Sequence, residues 1–248
     1  MADRRKLVAG NWKMNGIRSD GLALAAELAG RARAAAGTQK PHCELLVCPP
    51  ATLLVPVCEA LAGSGIVLGG QDCHPAPKGA FTGDISAEML ADGGCRYVIV
   101  GHSERRHGHG ESDALVREKV HAARRAGLTP VLCVGETLAQ HQAGEAVAVV
   151  AAQLAGSTPD PGENNELVVA YEPVWAIGTG LTPSLDNIAA MHAALRSRLA
   201  PDVRILYGGS VNPSNAAAIL ALADVDGALC GGASLAADSF WAIACGSG

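Results

Sequence analysis

Eight short apolar runs, spaced roughly 20 to 40 residues apart, constrain this chain more than any other feature. They are Leu7–Ala9, Glu44–Cys48, Ile66–Leu68, Tyr97–Val100, Pro130–Val134, Leu167–Tyr171, Arg204–Tyr207 and Ala228–Cys230. Leu167–Tyr171 is apolar on both faces, as a strand covered on two sides must be. The segments between the runs read as helices. Ile188, Met191, Leu195 and Leu199 fall on one face at helical spacing, and so do Val116, Val120 and Ala123. Thr182-Pro183 and Asn212-Pro213 place a capping side chain before a proline at the first helical position. Gly93 and Gly127 sit where helices should end. Strand followed by helix, eight times without a break in composition, predicts an α/β chain folded as one closed parallel (β/α)8 barrel spanning residues 1–248. An open doubly wound sheet is the alternative, but its G-x-G-x-x-G turn after the first strand is missing.

With 49% hydrophobic residues in 248, the chain can bury a large core. Its net charge is −5 and no basic run reaches five residues, so a nucleic-acid partner is not expected. No apolar stretch approaches the roughly 18 residues that span a bilayer, so no membrane partner is expected. The opening residues are not a signal peptide, because Asn11 and Lys13 interrupt the apolar run. Eight cysteines lie scattered, with no C-x-x-C pair and no zinc spacing, which points to a reducing cytoplasm.

A barrel's chemistry lies at the carboxyl ends of its strands. The residues just past the apolar runs are polar and specific: Asn11-Trp12-Lys13, His102-Ser103-Glu104-Arg105, Glu172, Gly208-Gly209-Ser210 and Gly231-Gly232-Ala233-Ser234. Glu172 ends a strand and is followed by Pro173, by four apolar residues, Val174–Ile177, and by Gly178-Thr179-Gly180. That order suits a lid over a general base, although a solvated strand end would read the same way locally. His102 can polarise a carbonyl or serve structure alone. His107 and His109 lie near it, but no carboxylate or cysteine completes a metal set at familiar spacing. Lys13 can hold a phosphate or an oxyanion. The glycine turns after the last two runs match the usual barrel phosphate site, with Ser234 read as a helix start. One base, one electrophile, a phosphate site and no cofactor motif indicate proton transfer beside a carbonyl. The reaction class is aldose–ketose isomerisation of a small phosphorylated sugar.

Gly10–Asn15, Val100–Arg106, Cys133–Glu136, Tyr171–Gly180, Tyr207–Asn212 and Gly231–Leu235 closely resemble the triosephosphate isomerase family, in order, from Leu7 to the end. The resemblance implies a TIM barrel that interconverts dihydroxyacetone phosphate and glyceraldehyde 3-phosphate without a cofactor. It implies Glu172 as the base, His102 as a neutral electrophile, Lys13 and Asn11 as stabilisers of the developing charge, and Glu104 as a supporting carboxylate near Lys13. Gly178, Ser210, Gly231 and Gly232 match the phosphate donors. Pro173–Thr179 matches the lid, Ile177 a cover for the base, and Glu136 and Tyr171 partners of Trp175. The loop Gln71–Ser86 matches one that reaches into a second subunit of a homodimer. Two departures are small: Cys230 replaces a branched aliphatic residue, and an insertion lies around Ser157–Asn165. Two rival readings are another phosphosugar barrel enzyme and a non-catalytic metabolite-binding protein on the same fold.

Overall fold

The computed structural model describes residues 4–35, 41–158, 166–177 and 181–247. Its strands are β1 (Leu7–Asn11), β2 (Glu44–Cys48), β3 (Val67–Gly70), β4 (Tyr97–Val100), β5 (Thr129–Val134), β6 (Val168–Tyr171), β7 (Arg204–Tyr207) and β8 (Gly227–Cys230). Each is parallel to its neighbours, and β8 pairs back onto β1, so the sheet closes into the expected barrel. Every apolar run of the sequence is a strand, with ends moved by no more than two residues. The helices are α1 (Arg18–Ala34), α2 (Leu54–Leu61), α3 (Ala87–Asp92), α4 (Ser103–Gly108), α5 (Asp113–Arg125), α6 (Leu138–Gln142), α7 (Ala146–Ser157), α8 (Leu185–Arg196), α9 (Ala216–Leu220) and α10 (Ala237–Cys245). No helix among the described residues is long and apolar enough to cross a membrane.

The strands are apolar on both faces because they serve two cores. Leu7, Ala9, Ile99, Cys133, Val168, Ala170 and Leu229 pack with one another inside the barrel. Val8, Val100, Val134, Val169, Tyr171 and Cys230 join the layer beneath the helices. The period of two then decides where the chemistry goes. Asn11 follows Ala9 by two residues, and Glu172 follows Ala170 by two, so both aim into the mouth of the barrel. Cys230 packs outward instead, beside a glycine turn that it leaves unobstructed.

The helix faces are as read: Val116, Val120 and Ala123 of α5 and Ile188, Met191 and Leu195 of α8 are buried. Leu199 lies past the end of α8 but still packs against the core. The capping assignments need correction. Ser184, not Thr182, caps α8 by accepting the Asn187 N–H, so Pro183 precedes the helix rather than opening it. Asn212 accepts from the Ser214 and Asn215 amides in a turn, and α9 begins only at Ala216. Ser234 lies buried inside a tight turn, Gly232–Leu235, and the following helix starts at Ala237. Residues 159–165 of the insertion lie outside the described residues.

One buried histidine lies outside the site. His192 of α8 is fully buried, with Nδ1 against the Asp224 carbonyl at 3.0 Å and its ring edge-on to Tyr171. Burial pushes its pKa down to about 4, against the pull of the Asp224 carbonyl and nearby carboxylates. The unfolded chain therefore binds a proton between about pH 4 and 6.5 that the folded chain refuses, and stability must fall as pH drops through that window. The full effect is on the order of 3 kcal/mol. Urea denaturation between pH 7 and pH 4 should show this loss, and His192→Gln should remove most of its pH dependence; an unchanged slope in that variant would refute the assignment.

Candidate active site

At the carboxyl end of the barrel a cavity of about 360 Å³ opens between β1, β4, β6, β7 and β8. Asn11, Lys13, His102 and Glu172 line one side, and Gly208–Asn212 with Gly231–Ala233 line the other. Its size lies at the small end of ligand cavities.

Glu172 is 2% exposed although it carries a carboxylate. Such a group needs partners or it neutralises. Its Oε2 accepts the backbone N–H of Ser103 at 2.9 Å, and its Oε1 lies 2.8 Å from His102 Nε2. Burial alone would raise its pKa, but the charge and hydrogen bond of His102, the Ser103 N–H and the charge of Lys13 hold it below the usual carboxylate value. Two glycines make room for it. A Cβ on Gly135 would stand 1.7 Å from the Glu172 carbonyl oxygen, and one on Gly208 would stand 2.9 Å from Glu172 Cγ.

His102 caps α4: its Nδ1 accepts the Glu104 N–H at 3.2 Å. A ring nitrogen that accepts carries no proton, so the neutral ring is protonated on Nε2, the nitrogen facing Glu172. The sequence predicts that the N–H groups of α4 depress the His102 pKa. In this arrangement the balance runs the other way. Burial lowers it, yet the Glu172 carboxylate, through charge and hydrogen bond, outweighs burial and leaves it raised.

Among the described residues, Lys13 is the non-glycine residue with positive φ, at 52°. Left-handed backbone of this kind costs about 1–2 kcal/mol and persists where neighbours impose it. Here Asn11 Oδ1 accepts the Lys13 N–H at 3.0 Å, and Gln71 Nε2 donates to the Lys13 carbonyl at 2.8 Å. The conformation sends the Lys13 ammonium to Glu104 Oε1, 2.6 Å away, on the cavity side of Gly231. Glu104 does not line the main cavity; it lines an adjoining groove of about 350 Å³ with Met14, Gln71 and Arg105.

The start of the segment read as a lid is held by its own contacts. Val174–Ala176 forms a single tight turn, and Ser210 Oγ donates to the Ala176 carbonyl at 2.6 Å. Trp175 Nε1 and the Tyr171 hydroxyl both donate to Glu136 Oε1, at 2.8 and 3.2 Å. The His141 ring lies 4.6 Å from the Trp175 ring. Ile177 reaches the cavity wall. Gly178, read as a phosphate donor, lies outside the described residues.

The sequence model of the family described as triosephosphate isomerase matches residues 6–246. The chain belongs to the triosephosphate isomerase family. It is 57% identical to a triosephosphate isomerase of Xanthobacter autotrophicus over 98% of this chain and 97% of that protein. It is also 57% identical to one of Afipia carboxidovorans, over 97% and 96% of the two chains. The crystal structure of triosephosphate isomerase from Bartonella henselae superposes with a TM-score of 0.85 at 46% identity, covering 96% of this chain and 97% of that one. Membership in the family makes the chain an isomerase.

Asn11, Lys13, His102, Glu172, Ser210, Gly231 and Gly232 thus meet around one cavity, with Glu104 behind Lys13. Three contributors were not assigned roles from sequence. The Ser103 amide holds the carboxylate, Gln71 holds the strained Lys13 backbone, and Gly135 vacates the space beside Glu172. All three lie in segments singled out from sequence, Ser103 in Val100–Arg106, Gln71 at the start of Gln71–Ser86 and Gly135 in Cys133–Glu136, but none was given this role.

Proposed function

We propose that this site interconverts dihydroxyacetone phosphate and D-glyceraldehyde 3-phosphate through an enediolate, with Glu172 moving the proton between the two carbons. The observation that carries the reading is the pairing of a buried carboxylate with the His102 imidazole 2.8 Å away, facing glycine turns across a small cavity. Substrate would enter between them. The Nε2–H of His102 would then donate to the carbonyl oxygen as negative charge grows there, with Lys13 and Asn11 supplying further positive potential. Leaving Ser103 and His102, Glu172 would keep its burial and lose its partners, which makes it a stronger base at the moment it must take a proton. The Ser210 turn and Gly231-Gly232 would receive the phosphate, and Gly178 would join them from the lid. Phosphate binding would then draw the lid over the base.

The assay is a coupled isomerase measurement on purified protein. Glu172→Asp keeps the charge and shortens the reach by one methylene, so kcat should fall by about a hundredfold or more with KM changed little. Turnover near that of the parent would refute Glu172 as the base.

The active unit we propose is a homodimer. The tip of the loop 77–84 is exposed throughout, and Phe81 stacks on the His74 ring, 4.0 Å away. Met14 (95% exposed) and Ile17 (69%) leave a large apolar surface beside the groove that adjoins Lys13. An aromatic tip and an apolar-edged groove suit two copies of one surface. The partner's Thr82 would then reach the edge of the Asn11/Lys13 site. Phe81→Glu should give monomers in sedimentation and lower activity in parallel; a fully active monomer at assay concentration would contradict this.

A further inference from the structure

Arg106 belongs to the Val100–Arg106 segment but has no part in the chemistry above. Its side chain is 9% exposed. Its guanidinium fork is filled from four directions. Nε donates to the Gly101 carbonyl at 2.8 Å, and Nη1 to Asp113 Oδ1 at 2.6 Å. Nη2 donates to the Cys133 carbonyl at 3.2 Å and to Ser157 Oγ at 3.0 Å. Ser157 Oγ donates in turn to Asp113 Oδ1 at 3.2 Å, which closes the cluster.

The two carbonyls matter most. Gly101 immediately precedes His102, and its φ of 66° turns the chain sharply off β4. The Gly101 carbonyl lies in the peptide plane that ends on the His102 nitrogen, so holding that oxygen fixes where the imidazole leaves the backbone. Cys133 immediately precedes Val134, and the Val134 carbonyl accepts the Glu172 N–H at 2.8 Å. One rigid, planar cation therefore bridges the chain that carries His102 and the strand end against which Glu172 is registered.

We propose that Arg106 is a positioning residue that sets the separation of His102 and Glu172 through the Gly101 and Cys133 carbonyls. This rests on the roles given above to His102 and Glu172. The fork is essential to it. A lysine ammonium can satisfy Asp113 as a point charge, but it cannot reach both carbonyls in the plane that a guanidinium spans. Because the phosphate turns lie on other strands, the loss should fall on the chemical step rather than on binding.

The test compares Arg106→Lys, Arg106→Gln and Ser157→Ala by kcat, KM, thermal melting and the nitrogen resonances of the His102 ring. Arg106→Lys keeps the buried ion pair with Asp113 and should fold, with kcat lowered about ten- to a hundredfold and KM within about twofold of the parent. Its His102 resonances should move. Arg106→Gln should lose at least as much turnover. Ser157→Ala leaves both carbonyl contacts in place and should lower the melting temperature while keeping kcat within about twofold. Glu172→Asp in the Arg106→Lys background should cost less than the product of the two single effects, because both disturb one geometry. The proposal is overturned if folded Arg106→Lys keeps parental kcat and His102 resonances, or if Ser157→Ala loses turnover as steeply. A parental kcat in Glu172→Asp would instead refute the catalytic roles themselves. An impaired Glu172→Asp beside an unimpaired Arg106→Lys would refute Arg106 alone.

Discussion

A carboxylate that is almost wholly out of water, yet ionised, is the constraint on which this structure turns. Glu172 meets it with two partners taken from one short helix: the Ser103 amide at the start of α4 and the His102 ring that caps it. Unpaired amides at a helix start carry partial positive charge, and six residues of helix are enough to present them. The same helix start points the Glu104 amide at His102 Nδ1, which places the ring proton on the side of the carboxylate. One local element thus holds the carboxylate, orients the imidazole and determines its tautomer.

The rest of the mouth follows from the same economy. Strand periodicity delivers Asn11 and Glu172 to the interior, and the glycines at 135 and 208 keep side chains out of the path of Glu172. The Lys13 backbone, held left-handed by Asn11 and Gln71, is strain stored at the place where an ammonium must face the cavity. Gln71 also donates to the Cys48 carbonyl, so the end of β2 is tied to the same clasp. The loop proposed to join two subunits begins at this glutamine. Association and the geometry of Lys13 therefore share one residue.

How far the sequence could be read follows from how local each determinant is. Strands covered on both faces are continuous apolar runs, and all eight were legible. The residues just beyond them were legible as neighbours around one mouth, because a barrel gathers its strand ends there. Ser184 as the cap of α8 was hidden behind Thr182-Pro183, which imitates a stronger start signal. The Ser103 amide and the Gln71 clasp were hidden for a deeper reason. A backbone N–H has no residue type, and a contact between positions 13 and 71 leaves no periodicity. The raised His102 pKa was missed likewise, because the helix start is local in sequence whereas Glu172 comes from β6, 70 positions later in the chain.

The central claim is that Glu172 stays ionised while buried because His102 and α4 hold it so. Carbon NMR of the Glu172 carboxylate, followed against pH in the ligand-free protein, addresses it directly. A folded-state pKa held down means the charge survives as acid is added, and the stability it contributes disappears only as pH falls through that lowered value. The account requires the transition to lie below the ordinary value of 4.5. A midpoint above that value would mean that burial outweighs the partners, and that the free site holds a carboxylic acid rather than a poised base.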